Sequence, residues 1–204
     1  MAHAPPDTSS EAEEEREAFF TIHELLHRPE LAVFYTDMLL NSLTTIGESV
    51  ERVELSSSAA HNYAKILQQL GAAEQLDETR ERAHLWEAKP VAGTWNGAEP
   101  IGPVLIAVYG AIESDDDIEL FVERHGKAKL SSAIAQTIEY LRGNTSRRGA
   151  ADALGVPAVE GIAITQAIEK IVYLLKDLDP AIPADEFEVS LPDRALEDAP
   201  YTQE

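Results

Sequence analysis

The chain has 204 residues, 44% of them apolar, enough to bury a substantial core in one domain or two small ones, and 37 acids against 16 basic residues give a net charge of −21. It has no cysteine, which excludes disulfides, thiolate metal sites and thiol redox sensing. It also lacks an apolar run near membrane-spanning length and a charged-then-apolar N-terminal signal, so the expectation is a cytoplasmic protein with no membrane association.

Residues 1–17 hold six acids and Pro5-Pro6, with too little apolar content to fold, and are expected to form a disordered acidic tail. Phe19-Phe20-Thr21-Ile22 starts a helix that runs to His27, Arg28-Pro29-Glu30 breaks it, and residues 31–40 resume with Leu31, Phe34, Tyr35, Met38 and Leu39 on one side. These helices would support the helix pair C-terminal to them, and their aromatic residues could form a dimer seam. Residues 44–50 read as a short helix, Glu54-Leu55-Ser56-Ser57 as a tight turn and residues 58–70 as a second helix stopped by Gly71, which is helix-turn-helix order.

The second helix separates into two faces. Ala60, Ala64 and Leu67 recur at helical spacing and point inward, flanked by Tyr63, Ile66 and Leu70. Ser58, His61, Asn62 and Lys65 share the opposite face, and Ser56 and Ser57 are candidate caps for the free N–H groups and candidate DNA contacts beside that face. No acid occurs from Leu55 through Ala73; composition alone leaves a run of that length acid-free with a probability of roughly 2%. A helix buried all round would not place Ser, His, Asn, Gln and Lys on one side, so this face is the candidate reading head for duplex DNA.

Past Gly71, apolar and polar residues roughly alternate on either side of the charged stretch Asp77-Glu78-Thr79-Arg80-Glu81-Arg82, the pattern of a β-hairpin with one solvated face. Arg80 and Arg82 near its tip are candidates for phosphate or minor-groove contact, as the wing of a winged helix-turn-helix spanning residues 18–90. Residues 91–95 and 98–101 flank Asn96-Gly97 as a second hairpin with a type I′ turn. Pro103 opens a helix with apolar residues throughout, Ser114-Asp115-Asp116-Asp117 caps another ending at His125-Gly126, and residues 130–141 form an amphipathic helix.

Asn144-Thr145-Ser146 then caps residues 147–154, Gly155-Val156-Pro157 turns the chain, and residues 158–175 form a long helix, a second helix-turn-helix geometry. Arg147 and Arg148 are a candidate second DNA contact or, alternatively, a charged corner of a helical packing or dimerisation domain over residues 91–178. Residues 179–204 are rich in acids and Pro and are expected to be an extended tail.

The net charge argues against binding a polyanion by bulk attraction. Of the −21, five lie in residues 1–17 and seven in residues 179–204, so more than half sits in the expected tails. Few lysines, many acids and abundant Ala and Val match the composition of a halophilic cytosol, where molar salt cuts the screening length to about 3 Å and local chemistry decides binding.

Two stretches carry a family resemblance. The segment Glu24-Leu25-Leu26, Arg28-Pro29-Glu30-Leu31, Tyr35, Leu43-Thr44-Thr45, Leu55-Ser56, Tyr63, Lys65, Leu67, Leu70-Gly71 and Leu85-Trp86-Glu87-Ala88 resembles winged-helix regulators related to the arsenical-resistance-repressor superfamily. The second, Asp116-Asp117-Ile118, Phe121-Val122-Glu123-Arg124-His125-Gly126, Leu130, Thr145 and Ala153-Leu154-Gly155-Val156-Pro157, is similar to an uncharacterised haloarchaeal family of transcriptional regulators. The resemblance covers about residues 20–178 and implies a cytoplasmic, dimeric, DNA-binding regulator of an archaeon. Metal-sensing relatives use Cys and His pairs, and the lack of Cys limits the carry-over to the reading helix, the wing and the dimer.

Other chemistry finds little support. His23 and His27 lie four apart on a helix beside Glu24, but one face supplies too few ligands for a metal, and His125 before Gly126 has the spacing of a helix-end residue. No phosphate-cradling glycine loop or nucleophile elbow is present. The expectation is therefore a mainly α fold with a small β component, no enzymatic activity, no cofactor or metal, and double-stranded DNA and a second copy as partners. The alternative is a protein-interaction module of the transcription or replication machinery that uses the winged fold without reading bases.

Overall fold

The computed structural model describes residues 8–95, 99–182, 187–190 and 201. Helix α1 (Thr8–His27) lies against α2 (Pro29–Leu40), and the break between them follows from Pro29, which takes the first helical position of α2. Residues 8–17 continue α1, a correction to the disordered tail expected there: a Glu-rich run is a good helix former, and its acids near an N-terminus complement the helix dipole. Residues 1–7 lie outside the described residues.

Strand β1 (Thr44–Thr45), α3 (Ile46–Val53), α4 (Ser57–Gln69), β2 (Ala73–Arg80) and β3 (Ala83–Ala88) come next, with an antiparallel sheet in the order β1-β3-β2. This is a winged helix-turn-helix arrangement. Thr44 and Thr45, expected to begin a helix, instead pair with Trp86 and Leu85. A capping box sets the start of α3 at Ile46, since Thr45 Oγ1 accepts from the Glu48 amide and the Glu48 carboxylate accepts from the Thr45 amide at 2.7 Å. The α3–α4 turn passes through Glu54 in the left-handed region at φ 51° and ends at Ser56, whose Oγ accepts from the Ala59 amide.

Short strands β4 (Gly93–Trp95) and β5 (Glu99–Ile101) pair antiparallel, while the Asn96-Gly97 turn expected between them lies outside the described residues. Then come α5 (Pro103–Gly110), a 3-10 turn (Ala111–Glu113), α6 (Asp116–His125) capped by Asp115, α7 (Lys127–Leu141), α8 (Arg147–Ala153) capped by Ser146, and α9 (Ala158–Leu175). The fold is mainly helical with a small antiparallel sheet, as the residue pattern implies.

The two halves expected as separate domains share one core. Helix α5 is apolar on every side, and such a helix must be enclosed: Val104, Ile106, Ala107 and Val108 are buried, and α5 packs on α2 and on α9 at once. Leu31, Phe34, Tyr35 and Met38 of α2 and Ile164, Ile168, Ile171 and Val172 of α9 complete that core. The segment after α9 is anchored too, where an extended tail was expected. Asp179 is buried and accepts from the Val104 amide at 2.8 Å, capping α5; the amides of Glu188 and Val189 donate to the Leu141 carbonyl; and the Tyr201 hydroxyl donates to the Ala107 carbonyl at 2.7 Å. Free N–H and C=O groups at the ends of α5 and α7 make docking sites that composition does not reveal.

Candidate nucleic-acid interface

Helix α4 divides as its periodicity predicts. Ala60, Ala64 and Leu67 are fully buried, whereas Ser57, Ser58, His61, Asn62, Lys65, Gln68 and Gln69 are exposed. The side chains of Ser58, Asn62 and Lys65 have no hydrogen bond or ion pair among the described residues, so a hydroxyl, a carboxamide and an ammonium stand open to solvent along one stripe. Gln69 extends the same stripe by one turn; sequence reasoning missed it, and its helical spacing from Lys65 is the signal that could have found it.

The capping serines are partly committed. Ser56 spends a lone pair on the Ala59 amide. The Ser57 carbonyl lies 2.7 Å from His61 Nδ1, and a carbonyl only accepts, so Nδ1 carries the proton. Nε2 of His61 has no partner among the described residues.

Helix α3 is tied to α2 by a bidentate pair. Arg52 donates from Nε and Nη2 to the two carboxylate oxygens of Asp37 at 2.6 and 2.9 Å, and Nη2 also donates to Thr44 Oγ1 at 2.8 Å. Tyr63 of α4 donates to the Glu30 carboxylate, which pushes its hydroxyl up to about 12. Tyr35 joins α2 to the end of the wing, donating to the Lys89 carbonyl and accepting from the Val91 amide, both at 2.9 Å.

The wing is a longer hairpin than the alternation suggested. Strand β2 runs to Arg80, and the tip is Glu81-Arg82, both left-handed at φ 53° and 73°. A register shift between Gln75 and Thr79 bulges β2, and His84 Nδ1 lies 3.1 Å from the Leu76 carbonyl across it. Arg82 is exposed with no partner among the described residues, but Arg80 is turned back on the body. Its guanidinium donates to Glu48 at 2.7 Å and to the Leu43 carbonyl at 3.1 Å. The Thr45 amide and Arg80 together hold the Glu48 carboxyl down at about 2. The wing also exposes Asp77, Glu78 and Glu81, so its surface is not cationic.

The second candidate contact separates into unlike halves. Arg147 donates to both carboxylate oxygens of Glu169 at 2.7 and 2.8 Å and sits 5.1 Å from the Tyr140 ring centre. Burial raises the Glu169 carboxyl and Arg147 opposes that rise, so Arg147 packs between α8 and α9 with its charge engaged by Glu169. Arg148 alone faces solvent.

The histidines considered for metal have other partners. His23 and His27 stack at 4.1 Å, and His125 meets Glu160 at 2.7 Å, where Arg124 also binds. Among the described residues no group of three or more His, Cys, Asp or Glu is placed to hold a metal ion, and no helix is long and apolar enough to cross a membrane.

Residues 112–177, which hold α6 to α9 and none of α4 or the wing, match the model of a family of unknown function, DUF7437. Neither a curated protein nor a solved structure matches this chain.

Proposed function

We propose that this protein is a sequence-specific DNA-binding transcriptional regulator of a halophilic archaeon, acting in the cytoplasm as a homodimer and reading the major groove with α4. The observation that carries this is the acid-free stripe of Ser58, Asn62 and Lys65, exposed and unpaired on the second helix of a helix-turn-helix while the opposite face is fully buried. Asn62 has the carboxamide that bonds bidentately to adenine. His61 can meet a base edge through Nε2, and Lys65 and Arg82 suit phosphates. Arg80 holds the wing to the body through Glu48 and the Leu43 carbonyl, and a phosphate contact would compete with that pair.

With Lys65 on the reading helix and Arg82 on the wing as the unpaired cations of this face among the described residues, and acids on the wing, little of the affinity comes from counterion release. Titrations at rising KCl should therefore show a shallow loss; a steep decline would count against this reading. Selection of bound sites from random duplexes, then retention assays with Asn62→Ala, test base reading directly: loss at one position of the site should be about 1–3 kcal/mol. An unchanged binding profile would remove Asn62 from the interface.

Helix α1 presents Phe19 and Phe20, 40% and 58% exposed, as the seam of the proposed dimer. Phe20→Glu should shift sedimentation to the monomer. The anionic wing favours a second reading, a protein-interaction module: in that case the double variant His61→Ala with Asn62→Ala leaves partner capture intact and no DNA site is selected.

A further inference from the structure

A cleft of about 300 Å³ opens between α2, the α3–α4 turn and the end of α5, at the small end of ligand clefts, which run from roughly 300 to 1,000 Å³. Pro29, Val33, Val53 and Leu55 give it an apolar lining, and Tyr201 supplies an aromatic wall. Its charge is one-sided. Among the described residues, Glu30, Glu54 and Glu113 are exposed carboxylates on the lining, and the one lining cation, Arg52, is consumed by its bidentate pair with Asp37. Arg28, next to Pro29, is bridged to Glu24 at 3.0 Å.

We propose that this cleft binds an organic cation, an ammonium head on an apolar body. The three carboxylates and the tyrosine ring favour the positive head, and the aliphatic lining takes the body out of water. A neutral ligand gains only the second term, and an anion meets net repulsion.

The site touches the reading helix by two routes. Glu30 accepts the hydroxyl of Tyr63 on α4, so a cation at Glu30 competes for that carboxylate. Glu54 and Leu55 run directly into Ser56, which caps α4. Occupancy therefore alters the anchoring of α4 at its cap and on its Tyr63 side.

Calorimetric titration of the full chain with benzyltrimethylammonium, without DNA and in KCl at which circular dichroism shows the fold intact, tests the site. Saturable binding is expected, with benzyl alcohol at least roughly tenfold weaker. Glu54→Gln and Glu113→Gln, exposed and without side-chain hydrogen bonds among the described residues, should each weaken binding about two- to fivefold, and Glu119→Gln on the outer face of α6 should not. Amide exchange across residues 57–69 should change on saturation. No saturable binding, equal binding of benzyl alcohol, or equal weakening by Glu119→Gln overturns the site, and unchanged exchange overturns its coupling to α4. Because no DNA is present, a failure here leaves base reading by α4 standing, and the converse holds.

Discussion

Single residues here divide by whether their charge is already spent. Arg147 and Arg148 are neighbours in sequence, yet one closes a buried pair with Glu169 and the other faces solvent. Arg147→Ala leaves the Glu169 carboxylate inside the fold without its partner, and chemical denaturation should show a loss of about 3 kcal/mol. Arg80 and Arg82 divide the same way, with Glu48 as the partner that settles it. The Glu48 carboxyl is depressed to about 2 from its ordinary 4.5, so what it contributes to stability is present above pH 4.5 and is lost as pH falls from there toward 2. Arg80→Ala removes one of the two groups holding it down; a carboxyl titration followed by nuclear magnetic resonance should show Glu48 moving up, and no movement would mean that the Thr45 amide alone sets it.

Elements carry their own tension. The wing turn places Glu81 and Arg82 in the left-handed region, which costs residues with a Cβ more than it costs Asn or Gly. Replacing the pair by Asn-Gly, the sequence that a two-residue hairpin turn favours, should raise unfolding free energy by about 1 kcal/mol while removing the cation at the tip. If Arg82 meets DNA, that variant is more stable and binds worse, a combination that separates the two effects. Helix α4 shows how a short element is legible locally: its cap, its inward alanines and its free face all derive from 3.6-residue spacing. The α3 start was not, because Thr44 and Thr45 are claimed by β3, roughly forty residues further along the chain.

At the scale of the molecule, the last residues bind the middle of the chain. Asp179 caps α5, and Tyr201 reaches the seam of α2 and α5, where its hydroxyl meets the Ala107 carbonyl. Tyr201→Ala should lower stability by about 2 kcal/mol, read by thermal unfolding. Burial raises the Asp179 carboxyl above its ordinary 3.8, so the protonated form is the one the fold favours, and that part of stability is lost as pH rises through the raised value. Asp179→Asn should flatten this dependence while weakening one of the two backbone bonds the carboxylate accepts, from Val104 and Ala181. The shared core of α2, α5 and α9 makes one unfolding transition the expectation for the described fold.

The amino-acid order by itself determined the helix-turn-helix, the free face of α4, most caps and the hairpin wing, because each depends on spacing within one or two turns of chain or on a single strand-turn-strand run. Only the tertiary structure decided which arginines remain available, that the halves share a core, and that Tyr201 closes a cleft beside the α3–α4 turn. Those depend on partners between 15 and 94 residues apart, from Arg52 with Asp37 to Tyr201 with Ala107. A charge is open or spent according to what folds against it, and no local period encodes that.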